Sequence, residues 1–253
     1  MIKNKDILGK RNVKLEVVSS IESSDQEIID NFMHSGEGER PWECFELTQS
    51  QDVGRWCLDP DLIEGMKSNL LQLSNHIHYI SQNRPDENIK VLDAGCYAGY
   101  LYDYLVKHHN RIKYTGIDVN EDVIEAAKIL HNDKPARFMV GDVFNPPAEL
   151  IENMFDFVCC HRLTIHLPYF EQVLFNLINL SRDVVHVILM VGDNDLCEKC
   201  METNLDTGKT AFYFRRAVSI KTINAILDKR QYPIDYIVKT SNDSKYSSLF
   251  IFK

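Results

Sequence analysis

The sequence predicts an α/β fold: a seven-stranded, mostly parallel sheet with helices on both faces, an antiparallel C-terminal hairpin strand and an N-terminal helical cap. Three observations predict it. From Asn88 onward, short apolar runs of strand length alternate with apolar stripes at helical spacing. Val184 to Val191 is continuously apolar, as the centre of a parallel sheet buried on both faces requires. The chain closes with two strand-like runs, Ile234 to Lys239 and Ser248 to Phe252, joined by the turn-rich Ser241-Asn242-Asp243-Ser244-Lys245, so the last strand runs back along its neighbour.

The elements follow in order. In residues 1–87, Asn12 to Val18 reads as a short strand, and Ser24-Asp25-Gln26-Glu27 as a capping box that opens a helix to about His34. Leu62, Ile63, Met66, Leu70 and Leu73 mark a second helix, which ends before the polar stretch around Pro85. These residues form the cap, and residues 88–253 the main domain. Strands are expected at Ile89 to Ala94, Tyr114 to Val119, Ala136 to Val140 and Phe155 to Cys160, besides the three named above. Between them lie helices marked by Tyr100, Leu101, Tyr104 and Leu105, by Val123, Ile124, Ala127 and Leu130, and by Phe170, Val173, Leu174, Leu177 and Ile178. Asn120 opens the second of these, with Glu121 and Asp122 suited to the positive end of its dipole. Ser219 caps a further helix carrying Ile220, Ile223, Ile226 and Leu227. Such alternation implies right-handed crossovers between parallel strands.

Bulk properties exclude some functions. Lys+Arg 28 against Asp+Glu 37 give a net charge of -9, which argues against salt-driven attraction to nucleic acid or anionic membranes. No apolar run is long enough to cross a bilayer, and no signal-peptide run follows the charged start. The seven cysteines are odd in number and lack the spacing of a secreted disulfide framework, which places the chain in a reducing cytoplasm.

The chemistry concentrates at three strand ends. Val91-Leu92-Asp93-Ala94-Gly95-Cys96-Tyr97-Ala98-Gly99-Tyr100 runs from a buried strand through a glycine turn into a helix. Glycines let backbone approach a ligand closely, and ligands of such sheets bind beyond the carboxyl ends of the strands. Asp93 offers a carboxylate there. Asp118 ends the second strand, 19 residues after Gly99, at a position where an acid can accept from two ribose hydroxyls. Val140-Gly141-Asp142-Val143-Phe144 puts an acid and an apolar wall at the third strand end, suited to an adenine amino group and ring face.

In these motifs residues 88–253 resemble the class I, Rossmann-like S-adenosylmethionine-dependent methyltransferases. Asp93-x-Gly95-x-Tyr97-x-Gly99 is similar to their acid-and-glycine loop, with Tyr97 where the middle glycine is commonest. The resemblance implies that Asp93, Gly95, Cys96, Tyr97, Gly99, Asp118, Val119, Asp142, Val143 and His161 bind S-adenosylmethionine, and release it as S-adenosylhomocysteine. A nicotinamide-dependent dehydrogenase is the rival, but its Gly-x-Gly-x-x-Gly spacing is absent.

The fourth strand runs into Cys159-Cys160-His161-Arg162-Leu163-Thr164-Ile165-His166-Leu167-Pro168, which in the resembled family lies between methyl donor and acceptor. A hydroxyl or ammonium acceptor must lose a proton, and histidine suits that task. His166 and His161 are the base candidates, His166 ahead, with loop packing as the competing role. Arg162, Tyr213, Arg216 and Trp42 are the candidate acceptor contacts. Cys197 and Cys200 have metal-ligand spacing, and Cys44 and Cys57 could complete four thiolates, but no second close pair exists and no metal is expected. The expected activity is O- or N-methylation of a small molecule. Methylation of RNA or protein, and a non-catalytic cofactor-binding subunit, stay open. The N-terminal extension admits two roles, a cover over the pocket or a contact between two copies.

Overall fold

The computed structural model describes residues 13–21, 66–167, 170–205, 208, 210–229, 235–240 and 246–253. The Ser24 helix, Trp42, Phe45, Trp56, Cys44 and Cys57 lie outside the described residues. Among those described, β1 (Val13–Ile21) and α1 (Lys67–Asn83) precede β2 (Ile89–Ala94), α2 (Tyr100–His108), β3 (Ile112–Asp118), α3 (Glu121–Leu130) and β4 (Ala136–Val140). Then come α4 (Ala148–Asn153), β5 (Phe155–His161), a single 3-10 turn (Thr164–His166), α5 (Phe170–Leu180) and β6 (Ser181–Leu189). The chain ends with β7 (Val191–Gly192), β8 (Leu196–Asn204), β9 (Thr210–Ser219), α6 (Ile220–Asp228), β10 (Asp235–Thr240) and β11 (Ser247–Phe252).

The main sheet has seven strands in the order β10-β11-β6-β5-β2-β3-β4. β2, β3, β4, β5 and β6 are parallel, while β11 is antiparallel to both β6 and β10. The expected mixed sheet with its reversed last strand is therefore present. Strand alternation sends successive side chains to opposite faces. On one face Leu92, Val158, Cys160, Val185 and Val187 pack with residues of α4, α5 and α6. On the other, Val91, Phe157, Cys159 and Ile188 pack with residues of α1, α2 and α3. Every residue of β5 is buried, as a central parallel strand demands.

Local signals set the helix starts. Asn120 accepts from the amide of Val123 at 3.1 Å and caps α3. Ser219 accepts from that of Thr222 at 3.2 Å and caps α6. Met66, Leu70, Leu73 and Ile77 bury one side of α1. Its C-terminal end is tied down by Arg84, which donates to Asp156 and Asp183, both at 3.0 Å. Asp156 also accepts from the Lys90 amide at 2.7 Å, so α1, β2 and β5 meet on one carboxylate.

A second sheet, in the order β1-β8-β9-β7, is the main departure from expectation. β8 is antiparallel to β1 and to β9, and β9 lies against the 3-10 turn. The N-terminal region thus contributes a strand to this sheet as well as α1 to the main one. No periodicity in the sequence predicts strands at β8 and β9.

Candidate cofactor and acceptor site

The turn after β2 is built by backbone hydrogen bonds. The amides of Gly95 and Cys96 both donate to the Ile117 carbonyl, at 2.8 and 2.9 Å, which stitches the turn to the end of β3. Gly95, Tyr97 and Gly99 all have positive φ, 75°, 50° and 87°. The middle one is costly for a side chain, roughly 1–2 kcal/mol, because Cβ crowds the carbonyl there. This is the physical reason a glycine suits the Tyr97 position. Gly95 and Gly99 have a second constraint. A Cβ on Gly95 would lie 2.9 Å from Leu163 Cδ2, and one on Gly99 would lie 2.8 Å from Phe138 Cζ.

An open pocket lies beyond the strand ends. Gly95 lines it from the first turn, Asp118 and Val119 from the end of β3, Asp142 and Val143 from the loop after β4, and Leu163 and Leu167 from the loop after β5. Five predicted cofactor residues therefore share one pocket. The two leucines were not predicted. Their only sequence signal is their position in the loop after β5.

Asp118 has two roles. Its Oδ2 accepts from the Tyr97 amide and its Oδ1 from the Asn120 amide, each at 3.1 Å. The Val119 amide also donates to this carboxylate, which leaves acceptor capacity for a ligand hydroxyl. Burial raises its pKa, against the lowering by the Asn120, Tyr97 and Val119 amides. Asp142 Oδ1 accepts from the Phe144 amide at 2.8 Å, and Asn176 of α5 donates to the Val143 and Phe144 carbonyls, which holds the adjoining wall.

Asp93 lies deeper, only 1% exposed. Its Oδ2 accepts from the Tyr114 hydroxyl at 2.6 Å, while Oδ1 has no partner. Burial pushes its pKa up to about 7, and the charge of Asp118 adds to the rise. An unpartnered buried carboxylate oxygen is what an ammonium group would satisfy. Cys96 is fully buried and packs against Gly116, so among the predicted cofactor residues it shapes the turn from behind.

The loop after β5 carries the remaining candidates. His161 is buried, and its Nε2 pairs with His186 Nδ1 at 3.0 Å. Cys159 joins these two rings to form the one group of metal-ligand types among the described residues, its donor atoms within 4.8 Å of one another. Arg162 has φ 65° and lies over the Tyr246 ring, 4.9 Å from its centroid. His166 ends the 3-10 turn and is half-buried.

Arg216 stands on β9 opposite Cys197, on the same side of that strand as the core residue Val218. Burial lowers its pKa, while Cys197 and Asp195 oppose the shift. Tyr213 lies in register with Cys200. Cys197 and Cys200 are an odd number of residues apart on β8, so strand alternation sends their thiols to opposite faces. Trp42 is outside the described residues.

The model of a family described as "Methyltransferase domain" matches residues 85–232, more than half of the chain. The chain belongs to this methyltransferase family. A ubiquinone biosynthesis O-methyltransferase of Hydrogenovibrio crunogenus is 31% identical over 93 residues, which is 36% of this chain and 38% of that protein. The shared part thus spans well under half of that relative's length.

Solved structures show the methyltransferase fold. A 1,6-didemethyltoxoflavin-N1-methyltransferase of Burkholderia thailandensis, bound to 1,6-didemethyltoxoflavin and S-adenosylhomocysteine, aligns at TM-score 0.54 and 15% identity, covering 98% of this chain and 97% of that one. The magnesium protoporphyrin IX methyltransferase of Synechocystis, bound to S-adenosylhomocysteine, aligns at TM-score 0.56 and 14% identity, covering 83% and 96%. Among the described residues no helix is long and apolar enough to cross a membrane.

Proposed function

We propose that the chain transfers a methyl group from S-adenosylmethionine to an oxygen or nitrogen of a small-molecule acceptor. One observation carries the reading: Gly95, Asp118, Val119, Asp142 and Val143, from three successive strand ends, line a single pocket. The residues fit the cofactor. Gly95 brings the turn backbone to the pocket edge against Leu163 where a Cβ would collide, Asp118 retains acceptor capacity for the ribose, and the free Oδ1 of buried Asp93 matches a cofactor ammonium. The cofactor supplies a methyl on a positively charged sulfur. The protein orients the acceptor, excludes water and takes up a proton where the acceptor carries one.

His166 is the favoured base. It lies half-buried in the turn flanked by Leu163 and Leu167, whereas His161 is buried within a polar chain. Arg162 and Arg216 are the favoured contacts for an acidic acceptor, because the buried Nε of each lacks a hydrogen-bond partner.

Calorimetric titration with S-adenosylhomocysteine tests the cofactor reading, with Asp118→Ala as control and a thermal melt to confirm folding. Binding by the wild type and its loss in the folded variant are expected. No binding by the folded wild type sinks the proposal.

A further inference from the structure

The loop after β4 carries four of the residues that line the pocket, Gly141, Asp142, Val143 and Phe144. Its course is fixed at three points. The Gly141 amide donates to the Asp118 carbonyl at 2.9 Å, which ties the start of the loop to the end of β3. Asp142 closes a local turn: its Oδ1 accepts from the Phe144 amide at 2.8 Å and its carbonyl from the Asn145 amide at 3.2 Å. The third point comes from outside the loop. Asn176 of α5 donates through Nδ2 to the Val143 carbonyl at 2.9 Å and to the Phe144 carbonyl at 2.8 Å.

Both partners of Asn176 are carbonyl oxygens, which only accept, so the nitrogen of the amide and not its oxygen must face the loop. α5 gives this amide a firm base. Val173, Leu174, Leu177 and Ile178 are each 0% exposed and seat the helix in the core against the main sheet, while Asn176 is half-buried on its flank. The consequence for recognition lies in Asp142. With Oδ1 taken by the Phe144 amide, Oδ2 has no hydrogen-bond partner among the described residues. A carboxylate oxygen only accepts, so in this pocket it favours a base edge that carries an amino group and disfavours one that carries an oxo group. The residue whose amide binds Asp142 is also the residue whose carbonyl Asn176 holds. Asn176 therefore fixes the Asp142 carboxylate through Phe144.

We propose that Asn176 is a positioning residue for cofactor specificity: by clamping the Val143 and Phe144 carbonyls it holds the Asp142 carboxylate where it accepts from a purine amino group, so that the site takes adenine and rejects the 6-oxo base. This role rests on the proposed methyl-transfer reading of the pocket and deepens it. Asn176 itself does not line the pocket, and it lies 33 and 32 residues from the two carbonyls it holds.

Calorimetric titration with S-adenosylhomocysteine and with S-inosylhomocysteine, its 6-oxo counterpart, reads the discrimination directly. The wild type should prefer the adenine ligand by about 100-fold. Asp142→Ala sets the ratio that remains when the carboxylate is gone. Asn176→Leu branches alike but carries no N–H group. It should weaken S-adenosylhomocysteine by about 30-fold and S-inosylhomocysteine by less than about threefold, so that the preference falls to about 10-fold, toward the Asp142→Ala value. Asn176→Asp keeps the shape and sets acceptors against both carbonyls. It should narrow the preference in the same way, and it carries the test if Asn176→Leu fails to fold in a thermal melt. A wild type without preference between the two ligands overturns the role. An equal loss for both ligands in a folded variant also overturns it, because an asparagine with a purely structural role would leave the ratio unchanged. A folded wild type that binds neither ligand sinks the methyl-transfer reading instead.

Discussion

Asp93 makes a quantitative prediction about cofactor affinity. Its carboxyl is buried, held on one oxygen by Tyr114 and empty on the other, and its pKa is raised to about 7. An ammonium placed against Oδ1 is favoured only when the carboxyl is ionised. From a pKa of about 7, the ionised fraction rises from about 9% at about pH 6 to about 76% at about pH 7.5. Affinity should follow that fraction and increase about eightfold, or about 1.2 kcal/mol. Calorimetric titration with S-adenosylhomocysteine at the two pH values reads the change, and buffers of different ionisation enthalpy read the proton released on binding. Asp93→Asn, which cannot ionise, should bind more weakly and with little dependence on pH. A flat wild-type affinity with no proton release refutes the contact. The same shift affects the unliganded protein. Its folded state holds the Asp93 proton more tightly than the unfolded chain does, so this contribution to stability is complete below the unfolded value of 3.8 and is lost as pH rises through about 7.

Two further outcomes follow from the site. Gly99→Ala forces a Cβ into a φ of 87° and within 2.8 Å of His131 Nε2 and Phe138 Cζ, so a loss of about 2–4 kcal/mol is expected, seen as a fall of about 10 °C in Tm by scanning calorimetry. An unchanged Tm would show that the turn relaxes freely. With an acceptor in hand, His166→Gln should lower kcat by about 100-fold while leaving S-adenosylhomocysteine affinity within about twofold, as expected when a base is lost but the cofactor pocket is kept. Equal turnover by the variant removes His166 from proton transfer.

The strand ends were readable because their signals are local. Asp93, Gly95 and Gly99 sit within seven residues, and the positive φ of both glycines is a property of the turn itself. Asn120 and Ser219 announced their helices for the same reason: a side chain two or three residues away meets the free amide. β8 was not readable. Cys197-Glu198-Lys199-Cys200-Met201-Glu202 carries no clean apolar alternation, and the strand exists by pairing with β1, from the other end of the chain. Arg215 and Glu198, which form an ion pair across β8 and β9, are 17 residues apart and show no pattern in sequence.

The sequence by itself determined the alternating strands and helices, the reversed last strand and the acids at three strand ends, because periodicity and turn chemistry act over a few residues. Tertiary structure alone decided what those residues face. Sheet register set His186 beside Cys159 on β5 and opposite Phe250 on β11, which brought Asn69, His161, His186 and Ser248 into one chain. Whether a histidine offers a lone pair or a proton depends on such distant partners, and only the packed sheet supplies them.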